Sequence, residues 1–468
     1  MRYFCFSLIL VSGVVGNSNN CDYKYAEVLY KSLLFYQAQR SGKLCFMDPL
    51  VSWRKDSAID DCGRLGEDLS GGYYDGGGYV KFGFPMAFTT TMLSWGVISY
   101  EHGYCIAGQL DEAKRAIRWA TDYFLKCHAN DSVLYGQVGD PQIDNECWGR
   151  PEDMTMERPA YYIDAANPGS DLAAETAAAL AAASIVFLED DPNYSKTLRT
   201  HAATLYKFAD KFRAIYSDSI PCAGAFYRST GFGDELVWAA TWLFKATGRL
   251  PYLIIAEQMY QEFGLGYTSG FSWDEKRLGV DVLLAEIKGR CVYMDKLQDF
   301  CDTMLTKKER TPKGLLFLGE WGSLRNAAYV AFILMKAADL GLNSVNYRHL
   351  AKSQIDYMLG NGGRSYVVGF GNNPPTHCYH RSSSCPDEPY DCNWDTFRGC
   401  QPNAHILYGA LVGGPGPNDS YSDIRTDTVH NSVALDYNAG FQGVLAGLIY
   451  HGFETNNICQ GGVCRVED

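Results

Sequence analysis

Aromatic residues gather in four long stretches rich in glycine, proline and charge, residues 43–85, 128–170, 215–233 and 362–437. They include Trp53, Tyr73, Tyr74, Trp148 and many further tyrosines. Rings on loops around a groove can stack on the apolar faces of sugars, whereas rings on helix faces would pack a core. Loops this long inside a compact domain are usually functional. Cys378, Cys385, Cys392 and Cys400 lie close together in the last stretch and are expected to include disulfides. His377 and His380 flank Cys378, but this spacing matches no standard metal-ligand set. Asp234 and Glu235 read at first sight as carboxylates in the opening turn of a helix, complementing its dipole.

The elements that must hold these loops are helical. Ala113, Ala116, Ile117, Ala120 and Phe124 fall on one face, as do Leu198, Ala202, Leu205, Ala209 and Phe212. Asp171 to Leu188 is nearly continuous Ala, Leu, Ile and Val, the pattern of a helix buried on most sides. Asp171 is a plausible N-cap there, with Glu175 supporting the positive end of the dipole. About twelve helices are expected, starting near residues 22, 86, 109, 171, 196, 234, 251, 276, 294, 323, 345 and 438. Gly42, Gly248, Gly341 and Gly360 stand where C-caps belong. No strand alternation of comparable length competes. Physics alone therefore gives a large α-barrel or helical array.

Composition bounds the function. Residues 1–16 read as a signal peptide, with Arg2 ahead of an apolar run too short to span a bilayer. Residues 17–454 read as one domain, because no linker composition interrupts them, and 455–468 as a tail whose Cys459 and Cys464 could close a small loop. A secreted, extracellular protein is expected. A net charge of −13 without a basic run disfavours nucleic acid and anionic membranes. Of 16 cysteines, one lies in the signal, and the odd remainder leaves at least one thiol free or pairing between chains. Asn130, Asn193 and Asn418 each begin an Asn-x-Ser sequon, which fits export and surface loops.

Several segments resemble glycoside hydrolase family 9, in particular the animal endo-β-1,4-glucanases. They are Val51-Ser-Trp-Arg-Lys-Asp56, Gly71-Gly-Tyr-Tyr-Asp75 followed by Val80-Lys-Phe-Gly-Phe-Pro85, Trp148-Gly-Arg-Pro-Glu-Asp153, Asn167-Pro-Gly-Ser-Asp171, Gly233-Asp-Glu-Leu236, Val368-Gly-Phe-Gly-Asn-Asn-Pro374 and Asp436-Tyr-Asn-Ala-Gly-Phe441. The resemblance runs from about residue 22 to residue 454. It implies an all-α (α/α)6 barrel with a cleft over one end, and an ancestral inverting hydrolysis of β-1,4-glucosidic bonds. Such a reaction needs a carboxylic acid for the leaving oxygen and a carboxylate base for the water, roughly 6.5–9.5 Å apart. The family's Asp-Ala-Gly-Asp loop, whose second Asp is the base, reads here Asp75-Gly76-Gly77-Gly78. The water-holding Asp75 remains, but the base position is Gly78. The family's Asp-Tyr-x-x-Asn-Glu reads Asp427-Thr428-Val429-His430-Asn431-Ser432, so the acid position is Ser432.

The resemblance also implies sugar contacts from Tyr74, Trp148, Trp321, Arg325, Tyr379, His380 and Arg381. Asn145 replaces a sugar-contacting His of the family, and Tyr379-His380-Arg381 replaces His-His-Arg. It implies a structural Ca²⁺ at Thr230, Gly231, Asp234 and Glu235, with Asp274 as a further oxygen donor. The leading expectation is a monomeric, secreted β-1,4-glucan-binding protein with hydrolysis lost or strongly impaired. Restoring both carboxylates together should recover some turnover. One rival is an active endoglucanase using Asp75 with a relocated carboxylate such as Asp423 or Asp427. The other is a structural protein that no longer binds sugar.

Overall fold

The computed structural model describes residues 23–45, 47–266, 270–289 and 291–454. The expected signal peptide and the whole tail, with Cys459 and Cys464, lie outside the described residues. Six helices close a ring in which each packs on the next: Gly83–Ile106, Ser170–Val186, Gly233–Thr247, Arg277–Lys288, Ser323–Asp339 and Leu435–Tyr450, which returns to the first. Six more alternate with them along the chain, Tyr25–Ala38, Leu110–Cys127, Pro192–Lys211, Leu250–Glu262, Cys291–Thr306 and Ser344–Asp356. This is an (α/α)6 barrel, and the twelve long helices match the twelve expected from periodicity.

Side-chain pattern sorts the two rings. Every residue from Ser170 to Ser184 is buried, because this helix has neighbours on all sides and Ala lets them approach. Leu110–Cys127 buries only Ala113, Ala116, Ile117, Ala120 and their neighbours, and turns its charged face outward. Trp95, Trp238 and Trp242 meet edge to face in the barrel centre.

The helix expected to be capped by Asp171 has its N-cap two residues earlier, at Gly169. Asp171 instead lies in the first turn, where its Oδ1 accepts from the N–H groups of Leu172 and Tyr216 and so ties the helix to a loop. Gly248 is a left-handed C-cap, as expected. Gly42 is left-handed too, but a Cβ there would lie 2.9 Å from Gly71 N, so close backbone approach explains it better than a cap.

Strands were missed. Lys81–Phe82, Leu134–Val138 and Ala160–Ile163 form a small antiparallel sheet in that order, pairing Lys81 with Val138 and Leu134 with Ile163. They are too short to show alternation, and Leu134–Val138 is buried throughout. The sheet carries the two loops that enter the cleft first. Among the described residues one disulfide joins Cys385 to Cys392, while Cys378 is a buried thiol and Cys400 an exposed one.

Candidate active site

A cleft of about 590 Å³ opens at one end of the barrel. It is walled almost entirely by the long loops, joined by Trp273, Trp321 and Arg325. It brings together Asp75, Gly78, Asn145, Trp321, Arg325, Tyr379, Arg381 and Ser432.

The segment Asp75–Gly78 is fixed by its backbone. Asp75 O accepts from Leu435 N at 2.9 Å, and Gly77 O from Arg381 N at 3.0 Å. Gln39 Nε2 donates to Gly76 O at 2.9 Å. A Cβ on Gly76 would stand 2.7 Å from Val433 O, one on Gly77 would run into Tyr379, and one on Gly78 into Asp144 Oδ2. These glycines are therefore places of close approach rather than a flexible hinge.

Asp75 is 7% exposed. Its Oδ2 accepts a short hydrogen bond from Tyr227, and its Oδ1 is buried without a partner among the described residues. Burial, with Asp436 nearby, pushes its pKa up to about 7 against the opposing pull of Tyr227 and Arg325. Asp436 behind it pairs with Arg325 Nη1 at 3.2 Å, and burial raises its pKa as well.

Arg381 belongs to the cleft wall, yet both terminal nitrogens of its guanidinium are engaged, while Nε is buried without a partner among the described residues. Nη2 lies 2.7 Å from Asp144 Oδ2, Nη1 3.2 Å from Oδ1, and Nη2 3.5 Å from Asn145 Oδ1. Ser432 donates from Oγ to Thr428 O, inside its own segment. Tyr379 N donates to Asn431 O at 2.8 Å, stitching the two segments together.

Four expected site residues stand elsewhere. Trp148 is 2% exposed and sits behind Tyr379, packed on Phe397 and donating to Ser384 Oγ at 3.0 Å. Tyr74 is buried between Arg54 and Arg158, with its hydroxyl on Ser57. His380 is buried, and burial drives its pKa down to about 3, so it is neutral. Its Nε2 meets Gln39 Oε1 at 2.7 Å while Nδ1 accepts from Ser383 N. Through Gln39 it braces the Gly76 loop from behind. Asp427 caps the short helix Thr428–Asn431 and contacts His430 Nδ1 at 2.8 Å, away from the cleft. Aromatic type marked Trp148 and Tyr74, but depth decides, and both are wall supports rather than cleft surfaces. Asp144, Tyr227, Phe226, Trp273 and Tyr437 line the cleft and were missed. Tyr437 was within reach, because it stands in a quoted motif beside Asp436.

At the residues expected to bind calcium, Asp274 accepts from Thr230 N and Oγ1, both at 2.9 Å. Asp234 Oδ2 accepts from Lys276 N, and Glu235 Oε1 pairs with Lys276 Nζ at 2.9 Å. Glu235 Oε2 is buried without a hydrogen-bond partner among the described residues. Burial, then Asp234, raises the Glu235 pKa well above the carboxylate range. Among the described residues no three His, Cys, Asp or Glu side chains converge closely enough to hold a metal alone. A cation there would also draw on Thr230 or Gly231 oxygens. The orphaned oxygen and the surplus of carboxylates fit a hard cation.

A barrel with a loop-walled cleft of this kind defines a known class. The chain belongs to glycosyl hydrolase family 9, whose model matches residues 25–445. The endoglucanase of the termite Nasutitermes takasagoensis superposes with a TM-score of 0.91 and 56% identity, covering 92% of this chain and 99% of that one. Endoglucanase 15 of Arabidopsis thaliana is 41% identical over 96% of this chain and 98% of its own. Endoglucanase B of Cellulomonas fimi is 47% identical over 91% of this chain, which spans only 42% of that protein. Endoglucanase CelQ of Clostridium thermocellum, solved with cellotriose, superposes with a TM-score of 0.81 at 35% identity, over 95% of this chain and 74% of that one.

Proposed function

We propose that this protein binds β-1,4-glucan in its cleft and hydrolyses it at no more than trace rates, because Gly78 and Ser432 stand in the base and acid positions. The observation that carries this reading is the chemistry of the wall. Segment 428–437 contributes Thr428, Ser432, Val433, Ala434 and Tyr437 to the cleft and no carboxyl group. The carboxyl groups that do line it are Asp75, hydrogen-bonded to Tyr227, and Asp144, engaged by Arg381. Loss of one positioned acid or base typically costs about 10²–10⁴ in rate.

Binding has different needs. Trp321 and Phe226 are each 52% exposed at the cleft, and polar groups of Asn145, Arg325 and Tyr379 border it. Aromatic platforms with a few polar anchors retain a sugar chain without any proton transfer. Pure protein should be retarded in native gels containing soluble β-glucan. Beside an active homologue, it should release no reducing ends from carboxymethyl-cellulose. Free migration in all of several glucans would point to a structural protein instead.

One observation favours a second reading, a weakly active endoglucanase: Asp75 has a pKa near 7, where an acid catalyst works best. Its relocated partner is harder to find, since Asp423 is bound to Thr376 and His377 and Asp427 to His430. Turnover abolished by Asp75→Asn would establish that reading. We also propose structural calcium at Thr230, Gly231, Asp234, Glu235 and Asp274, and export with N-glycans. Asn130, Asn193 and Asn418 are all exposed, and glycosidase treatment of secreted protein should lower its mass.

A further inference from the structure

A second groove, of about 750 Å³, opens on the flank of the barrel, and no residue of the cleft lines it. Sites for small organic ligands run from about 300 to 1,000 Å³. The helix Leu110–Cys127 floors the groove with Trp119, Asp122 and Lys126, which share one face at spacings of three and four. The loop before Gly72 walls it with Lys43, Asp68 and Ser70.

The aromatic centre is held from behind. Trp119 is partly exposed, and its Nε1 donates to Gly72 O at 2.8 Å. The Arg40 guanidinium covers one face of the ring, 4.8 Å from the centroid. Arg40 is buried and does not line the groove, so the ring presents its other face and outer edge there. The rim is preset as well. Lys126 Nζ meets Asp68 Oδ2 at 2.8 Å and donates to Ser70 O at 3.0 Å and Ser70 Oγ at 3.1 Å. Asp68 Oδ1 accepts from Ser70 N at 2.8 Å. Asp122 accepts from the Tyr194 hydroxyl, and Lys43 is exposed. Two lysines and two aspartates leave the groove without net charge. Such a rim sets donors and acceptors side by side around a ring. Hydroxyl groups can use both, whereas an anion or a cation gains no net attraction.

The groove is also tied to the segment that ends at Asp75. Lys126 holds Ser70 O, Trp119 holds Gly72 O, and Tyr73 donates to Ala116 O at 2.8 Å. Gly71 lines the groove and Asp75 the cleft, so the chain between them keeps their Cα atoms within about 15 Å.

We propose that this groove is a second saccharide site, in which Trp119 stacks on a pyranose face and Asp122, Lys126 and Lys43 bond its hydroxyl groups. Its ligand is a neutral glucan or oligosaccharide, held without cleavage. The site stands whether or not the cleft binds sugar. Where both bind, one polymer engages the two together, and affinity rises with chain length beyond what either site gives alone.

Titration calorimetry with cellohexaose should find two sites in the parent, one lost in Trp119→Ala and the other in Trp321→Ala. In native gels containing hydroxyethyl-cellulose, Trp119→Ala should weaken retention by about tenfold, the cost of removing a central aromatic anchor. Trp119→Ala also gives up the bond to Gly72 O, so a second variant is needed. Ile59 is 46% exposed on the groove wall, and Ile59→Arg obstructs the groove while leaving that bond in place. It should weaken retention in the same direction. A single site that survives Trp321→Ala and disappears with Trp119→Ala and Ile59→Arg would uphold the groove and reject the cleft as a sugar site. A single site lost in Trp321→Ala and untouched by the groove variants would overturn the proposal. Loss in Trp119→Ala with Ile59→Arg behaving as the parent would assign the effect to the Gly72 loop and overturn it too. So would Lys43→Ala losing carboxymethyl-cellulose while the groove variants keep neutral glucan, which would assign the groove to anions.

Discussion

Asp61 and Asp75 belong to the same glycine-rich stretch and are buried alike, at 6% and 7% exposure, yet the fold treats them in opposite ways. Asp61 meets Lys81 Nζ at 2.7 Å and Arg158 Nε at 2.6 Å. Burial alone would raise its pKa, but the two cations outweigh burial and hold it below the usual carboxylate value. The trio is uneven. Lys81, fully buried and sharing one carboxylate with Arg158, is pushed down to about 8. Asp75 has no cation in contact, only a tyrosine hydroxyl, and its pKa rises to about 7. A carboxylate that holds a loop is neutralised on the spot. One that faces a cleft is left short of partners, which costs stability and keeps it able to exchange a proton. The difference supports the role proposed for Asp75 in the cleft.

The comparison breaks first at Asp61. Its cations anchor Lys81 of the first strand and, through Arg158 Nη1, the carbonyl of Tyr79 at 2.9 Å. Asp61→Asn leaves two buried cations facing a neutral amide, a change that typically costs about 3–5 kcal/mol. Sign follows from the lowered pKa. The stabilisation is present above the unfolded pKa of about 3.9 and disappears as pH falls through the lower folded value. Urea melts should show a large deficit for the variant at pH 7 that shrinks toward pH 3. A deficit below 1 kcal/mol at pH 7 would mean that the trio contributes no net stability.

Asp75 should give a smaller effect of the opposite sign. Folded protein holds this proton up to about pH 7, whereas the unfolded chain releases it near about 3.9. Between those values the native state binds more protons, so stability falls as pH rises. The ceiling is about 4 kcal/mol at roughly 1.4 kcal/mol per unit, and relaxation around the ionised form reduces it. Asp75→Asn cannot ionise and still accepts from Tyr227. The variant should match the parent near pH 4 and exceed it at pH 8 by a fraction of that ceiling. A variant less stable than the parent at pH 8 would show that Asp75 is ionised and compensated there.

Much of this was legible in the residues. Twelve helices follow from apolar periodicity, because each helix repeats its pattern over several turns. The small sheet does not, since its strands are short and one is buried on both faces. Asp75, Gly78, Tyr379, Arg381 and Ser432 meet in one cleft, as the order of motifs implies. Depth was not legible. Trp148, Tyr74 and His380 have the chemistry of sugar ligands, but tertiary packing places them one layer behind the surface. Asp144 was hidden for a different reason. It stands in no quoted motif, and only the fold brings its carboxylate to Arg381 in the cleft wall.

The smallest effect belongs to a third arrangement of buried carboxylates, between the two extremes. Glu235 and Glu175 share one ammonium, Lys276 Nζ, at 2.9 and 3.5 Å, with Asp234 and Asp274 beside them. Burial raises the pKa of Glu235 and of Asp274, so one lysine does not neutralise the group as Lys81 and Arg158 neutralise Asp61. Its raised values place it on the side of Asp75, but a divalent cation would move it to the side of Asp61. At 100 times its dissociation constant, a ligand specific for the folded state adds about 2.7 kcal/mol. For a domain of this size that is several degrees of melting temperature. Calcium should therefore raise the melting temperature over chelator by that amount, and magnesium at equal ionic strength by much less. Asp234→Asn should abolish the response, while Asp61→Asn should retain it despite its lower baseline. Identical melting in calcium and chelator would leave the cluster as a protonated, lysine-bridged core of the Asp75 kind, with no ion required to complete it.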